Sequence, residues 1–292
     1  MLKPKFIVVS PQPTYVDHIG GITVAHTLAY NLHLFGEDVS LYADSTNPKY
    51  PLKCIPFGSE LDIDVNNTIV ILIAGAGEHT YLHNIPDILT QSKYVVRWLV
   101  NHQVKPYPEH NKFYKYHKYW HTLDSQKIDG ELSVIEMNDG LFHNRHLPRK
   151  GNCYLIKGNL DEEAERAVHT DQDICIDHYI HSLANFDRTK FLSDVFNVTE
   201  VFISYTPLTF ASVLAALCGC VSVVIPKSNF DKEKWISEIW CAKYGIAVGL
   251  DDIPRAVETM PLVPGMIEEY VNVTQKQQVK KFIEDCYIWI NQ

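Results

Sequence analysis

The sequence predicts an α/β protein built as two Rossmann-like, doubly wound domains facing one another across a cleft. Three observations carry that expectation. Strand-like and helix-like segments alternate along nearly the whole chain, the order that parallel crossover units require. Strand candidates such as Phe6-Ile7-Val8-Val9 and Ile69-Val70-Ile71-Leu72-Ile73 are unbroken apolar runs, the pattern of parallel strands buried on both faces. The length of 292 residues corresponds to two domains at about 150 residues each.

The elements follow in order. Residues 6–10 form the first strand, and a loop ending in Gly20-Gly21 follows it. Ile22, Ala25, Leu28, Ala29, Leu32 and Phe35 then recur at helical spacing until Gly36 closes the helix, and residues 39–42 make the next strand. Strand, helix and strand in this order form a right-handed parallel crossover. Further strands are expected at 68–74 and 94–100, with a helix at 79–92 that contains Pro86, and shorter strands at 118–122 and 132–136. Residues 137–150 show no period and carry Asn138, Asp139, Gly140 and Pro148, so the boundary is placed there, with residues 1–145 as the first domain.

The second domain, residues 146–274, repeats the theme. Strands are expected at 152–156, 173–176, 201–204, 221–225 and 246–248, and helices at 161–169, 187–197, 210–217, 235–244 and 252–259. Residues 275–292 are a separate final helix, with Val279, Phe282, Ile283, Cys286 and Ile290 along one stripe.

Composition narrows the function classes. A hydrophobic content of 46% with 21% charged residues is that of a folded globular chain. The net charge of -9 argues against nucleic acid as the partner. Seven cysteines, an odd number without CxxC spacing, read as buried thiols rather than a disulfide framework or a zinc site. The apolar runs are far shorter than the ~20 residues that span a bilayer. The first thirteen residues lack the apolar core of a secretory signal, so a cytoplasmic protein is expected.

The segment Ser204-Tyr205-Thr206-Pro207-Leu208-Thr209-Phe210 is the most informative. A strand ends, a hydroxyl-rich loop turns, and a helix rich in small residues begins near Thr209. Free amides in its first turn, with the Thr209 and Ser212 hydroxyls nearby, would suit a phosphate. An ordinary capped helix fits the same residues, and physics alone leaves both readings open.

The segment resembles the donor-binding strand-loop-helix of GT-B glycosyltransferases at Tyr205, Pro207, Thr209, Ser212, Ala215, Ala216, Leu217, Cys218 and Gly219. Trp235, the Gly245-to-Gly249 run and Asp251-Asp252-Ile253 are similar to the part of such enzymes beside the nucleotide. Lys157-Gly158 resembles the pair whose lysine contacts the donor diphosphate, and Gly20-Gly21 the family's N-terminal glycine loop. Arg97-Trp98-Leu99-Val100-Asn101 and Asn138-Asp139-Gly140 are similar to a strand end at the cleft and to the interdomain connection.

The resemblance implies a donor site in the second domain, an acceptor site in the first, and a final helix that crosses back to the first domain. The implied reaction is metal-independent transfer of a sugar from a nucleotide-diphosphate-sugar to a glycan, lipid-linked or protein acceptor. No cofactor is implied, because the nucleotide-sugar is a substrate. Lys157, Tyr205, Thr206, Thr209, Phe210 and Ser212 would hold the donor diphosphate and nucleotide, with Gly20 and Gly21 as the donor loop. Asp17 or His18 would be the base of an inverting mechanism, and His102 would contact the donor sugar. Two departures matter. Retaining members carry glutamates at the positions of Thr206 and Leu214, and leucine accepts no ribose hydrogen bond. A non-catalytic nucleotide- or sugar-binding relative is therefore the alternative.

Asp62-Ile63-Asp64 and Asp171-Gln172-Asp173 spell a short metal-binding pattern, but the second pair lies at the start of a strand and ligands gather at strand exits, so no metal is expected. Gly75-Ala76-Gly77 lacks the third glycine of a dinucleotide loop, leaving an oxidoreductase as a minor rival. Residues 105–121 interleave lysines with aromatics. They read either as a solvated loop or as an acceptor surface with a peripheral membrane contact.

Overall fold

The computed structural model describes residues 3–16, 20–74, 85–101, 103, 105–118, 122–136, 140–156, 168–177, 187–227 and 229–292. The chain divides into two compact units, Met1–Glu136 with Tyr270–Gln292, and Met137–Glu269.

In the first unit, β1 (Lys5–Val9), β2 (Asp38–Tyr42), β3 (Lys53–Ile55), β4 (Thr68–Ala74), β5 (Tyr94–Leu99), β6 (Lys112–Lys115) and β7 (Gly130–Glu131) form one sheet in the order β3-β2-β1-β4-β5-β6-β7. Every pairing is parallel. The doubly wound expectation holds here because β4 and β5 are buried at every position, as apolar runs covered on both faces must be. Helix α1 (Gly20–Leu34) makes the first crossover, burying Ile22, Ala25, Leu28, Ala29 and Leu32.

Two short strands, β6 and β7, stand in place of the two expected at 118–122 and 132–136, and β3 is a further one. Lys118 lies in a turn, and the strand falls at β6, where Phe113 and Tyr114 are buried. Residues 132–135 are buried but are not a strand: the Leu132 amide still reaches the Lys115 carbonyl at 2.9 Å, while beyond it the backbone bonds go to side chains. Trp98 Nε1 donates to the Leu132 carbonyl at 2.7 Å, and Tyr116 Oη to that of Val134 at 2.7 Å. Gln278 and Gln275 accept the amides of Ser133 and Ile135, each at 2.9 Å. Residues 79–84 of the helix expected at 79–92 lie outside the described residues; the rest holds only the single turn α2 (Asp87–Thr90), which begins after Pro86.

The second unit holds β8 (Asn152–Leu155), β9 (Ile174–Cys175), β10 (Val201–Ser204), β11 (Val221–Val224) and β12 (Ile246–Val248), all parallel, in the order β12-β11-β10-β8-β9. Helix α3 (Arg188–Val198) starts at Asp187, whose side chain accepts from the Lys190 amide. Helices α4 (Ala211–Leu217), α5 (Lys232–Glu238), α6 (Ile253–Thr259) and α7 (Val263–Glu269) follow. Residues 141–149 belong to this unit, so the change of unit comes after Glu136 rather than at 145. Arg149 explains the docking: its guanidinium donates to the carbonyls of Phe196 (2.7 Å), Thr199 (2.9 Å) and Cys218. All seven cysteines are free thiols.

A π-helical stretch, Tyr270–Thr274, leads into α8 (Gln275–Ile290), whose Val279, Phe282, Ile283, Cys286 and Ile290 join the core of the first unit with β1, β4 and β5. The apolar stripe seen in the sequence is this buried face.

Candidate functional site

In an open parallel sheet, ligands gather outside the carboxyl ends of the strands, where the strand order reverses. In the second unit the reversal falls between β8 and β10, since β9 lies on one side of β8 and β10, β11 and β12 run outward on the other. The two exits are tied together by the Tyr205 amide, which donates to the Leu155 carbonyl at 3.1 Å. Ile156 follows, its amide held by Asp177 Oδ2 at 2.6 Å. Lys157 comes next in the chain and lies outside the described residues.

The loop leaving β10 is shaped by its own hydroxyls. Ser204 Oγ donates to the Thr206 carbonyl at 2.7 Å, and Trp235 Nε1 donates to that of Pro207 at 3.1 Å. Thr209 Oγ1 accepts from the Ala211 amide at 3.3 Å. The Ser212 and Val213 amides go to the carbonyls of Thr209 (3.3 Å) and Phe210 (3.0 Å). The first turn of α4, from Ala211, is thus closed by the chain itself. The Ser212 hydroxyl is sealed from solvent and makes no hydrogen bond among the described residues. Upstream, the Leu208, Thr209 and Phe210 amides donate to no protein group among the described residues.

Tyr205 is 2% exposed. Its hydroxyl accepts from the Val168 amide at 2.9 Å and bonds His169 Nδ1 at 2.7 Å, while the His169 ring stacks on Tyr154 with centroids 3.8 Å apart. Tyr205 therefore anchors residues 168–169 against β8 and leaves no hydroxyl pointing to solvent.

Asp252, after β12, accepts from the Val248 amide (2.9 Å), Arg255 Nη2 (2.7 Å) and Lys232 Nζ (2.8 Å). Burial alone would raise its pKa, but the hydrogen bonds from Arg255 and Lys232 outweigh it and hold the carboxyl well below the usual range. Asp173 and Asp64 close turns, accepting from the amides of Thr170 (2.7 Å) and Asn66 (3.0 Å).

In the first unit the order reverses between β1 and β4. The segment leaving β1 leads through Asp17 and His18 to α1, and that leaving β5 leads through Asn101 to His102. Asp17, His18 and His102 lie outside the described residues, as do Gly75 and Gly77. Gly20 and Gly21 are the first residues of α1; a Cβ at Gly20 would meet nothing within 4 Å, and one at Gly21 only Pro11 Cγ at 3.6 Å. Among the described residues, neither glycine is needed for packing. Gly20→Ala is expected to stabilise the protein by about 0.5–1 kcal/mol in urea unfolding, because alanine favours a helix over glycine. A loss of stability would contradict the open position.

Sequence reasoning missed one group at this edge. His26 in α1 is fully buried, and its Nδ1 accepts from the Asn47 amide at 3.2 Å. Burial lowers its pKa from 6.5 to about 4, so the ring is neutral with its proton on Nε2.

No protein-family model matches the sequence. No curated protein matches it either. Among solved structures, the chain is similar to the spinosyn rhamnosyltransferase SpnG, with a TM-score of 0.39 and 11% identity over 96% of this chain and 95% of that one. It is also similar to the spinosyn forosaminyltransferase SpnP, with a TM-score of 0.37 and 12% identity over 99% and 95%. The glycosyltransferase SnogD from Streptomyces nogalater gives a TM-score of 0.37 and 9% identity over 97% and 99%.

Proposed function

We propose that the protein transfers a sugar from a nucleotide-diphosphate-sugar to a hydroxyl of a glycan, lipid-linked or protein acceptor, without a metal. The observation that carries this reading is the pairing of the β8 and β10 exits at the strand-order reversal of the second unit, with Lys157 two residues beyond Leu155. The motif resemblance falls on these same two exits. When the glycosidic bond breaks, the leaving diphosphate gains negative charge, which Lys157 and the amides of Leu208, Thr209 and Phe210 would meet. Thr206 and Thr209 would contribute hydroxyl contacts, with Gly20 and Gly21 giving the donor close access to backbone. Asp17 or His18 would take the acceptor proton in an inverting reaction, and His102 would contact the donor sugar.

Lys157→Ala is expected to weaken nucleotide-diphosphate affinity by about 1.5–3 kcal/mol, the scale of a charged hydrogen bond, with little change in folding. Thermal-shift screening of UDP, GDP, TDP and CMP compounds identifies the nucleotide, and titration of the variant measures the loss. Unchanged affinity in the variant would contradict the assignment.

A non-catalytic binding protein is favoured by one observation: Thr206 and Leu214 stand where acidic residues serve in the retaining enzymes. Nucleotide binding with no turnover of any donor would select that reading.

A further inference from the structure

A polar cluster stands at the carboxyl edge of the first sheet, apart from the residues assigned to the reaction above. It joins Tyr15 from the segment leaving β1, Asn47 from the segment leaving β2, His26 from α1, and Glu136 at the end of the extended segment 132–136. The Glu136 side chain is 10% exposed. Tyr15 Oη donates to Glu136 Oε2 at 3.1 Å. Asn47 Nδ2 donates to Glu136 Oε1 at 2.8 Å and to Tyr15 Oη at 3.0 Å, so both amide hydrogens are used. Asn47 Oδ1 accepts from the Lys49 amide at 3.0 Å, and Lys49 Nζ lies 3.9 Å from Glu136 Oε1. The Tyr15 and His26 rings meet with centroids 4.8 Å apart.

The backbone is stapled beside the cluster. The Asp44 amide donates to the Pro13 carbonyl at 2.8 Å, and the Tyr15 amide to Ser45 Oγ at 2.9 Å. A carboxylate withdrawn this far from water costs several kcal/mol unless donors meet it, and an apolar contact would hold the same segments without direction. Directed bonds to both carboxylate oxygens instead fix where Tyr15 sits. Asp17 and His18 follow two and three residues later. Groups that take a proton from an acceptor need a rigid mount, because a small misplacement costs much of the rate.

We propose that Glu136 is a positioning residue, which holds residues 13–15 in place through Tyr15 and Asn47 and so sets the approach to Asp17 and His18. The mechanical part stands on the contacts above; its meaning for the reaction rests on the proposed function. Glu136 acts on the loop and touches no substrate.

Amide hydrogen exchange on the intact chain tests the mechanical part. In Glu136→Ala, amides of residues 14–16 and 44–47 are expected to exchange at least about tenfold faster, with those of β4 unchanged. Glu136→Gln, which keeps an acceptor for Asn47, is expected to restore most of the protection. Tyr15→Phe removes only the hydroxyl and should loosen the same residues. Unchanged exchange in Glu136→Ala and Tyr15→Phe, or acceleration that is uniform and includes β4, overturns the proposal. With UDP-, GDP- and TDP-glucose as donors and an alkyl glucoside as acceptor, both variants are expected to lower kcat/KM for the acceptor about tenfold and leave KM for the donor unchanged. An equal change in both overturns the positioning role. If the wild-type protein turns over none of these donors, it is the transferase reading that fails for them, and hydrogen exchange decides the role of Glu136.

Discussion

Phe282→Ala is expected to destabilise the protein by about 3–5 kcal/mol, the largest effect among the substitutions considered. The ring is fully buried. It stands edge-on to Tyr114 with centroids 4.9 Å apart and an interplanar angle of 85°, and lies 6.4 Å from Phe6 in β1. Truncation removes the transfer energy of the ring and leaves a cavity between α8 and the sheet, among the buried residues of β1, β4 and β5. Urea unfolding measures the loss, read in the transition of the first unit if the two units unfold separately. Ile288→Ala, on the same helix but 59% exposed, should change stability by no more than about 0.5 kcal/mol. A loss below about 1 kcal/mol at Phe282 would mean that α8 is not part of that core.

Stability is expected to fall by about 3 kcal/mol through His26 alone as the pH drops from about 6.5 to about 4. The sign follows from where the proton binds. In the folded chain burial holds the imidazole pKa at about 4, whereas the unfolded side chain titrates near 6.5. Between those values the unfolded state binds more protons, so acid favours unfolding; below about 4 both states are protonated and this contribution levels off. Asp252 adds its own loss at lower pH. Its carboxyl is held well below the usual range, so its stabilisation is present above the unfolded pKa and fades as pH falls beneath it. The difference between wild type and His26→Gln isolates the histidine. Equal slopes of stability against pH for the two proteins between pH 7 and 4.5 would show that His26 is not held neutral.

Hydrophobic pattern was enough to find β1, β2, β4, β5 and β10, because strands covered on both faces must be apolar at successive positions. It was also enough for α8, whose stripe recurs at helical spacing. It failed at β3, β6 and β7, which are two to four residues long and sit toward the sheet edges. Gly130 in β7 is there for space, since a Cβ would lie 2.8 Å from Tyr114 Cε1, a contact between residues far apart in the chain. Residues 132–136 look like a strand in pattern, yet past the Leu132 amide their backbone partners are side chains, among them those of Trp98, Tyr116, Gln275 and Gln278.

At the candidate site, the loop after β10 was legible in the sequence, since it follows an apolar strand and leads into α4. The partners of its side chains follow from long-range packing. Tyr205 carries a motif match, yet its hydroxyl is spent on Val168 and His169. Tyr15, Asn47 and Glu136 belong to no local pattern, being 32 and 89 residues apart along the chain. The physical reason is range. Burial pattern and helix spacing act between neighbours and are written locally, whereas a hydrogen bond closed over such separations exists only once the strands that bring its partners together have paired.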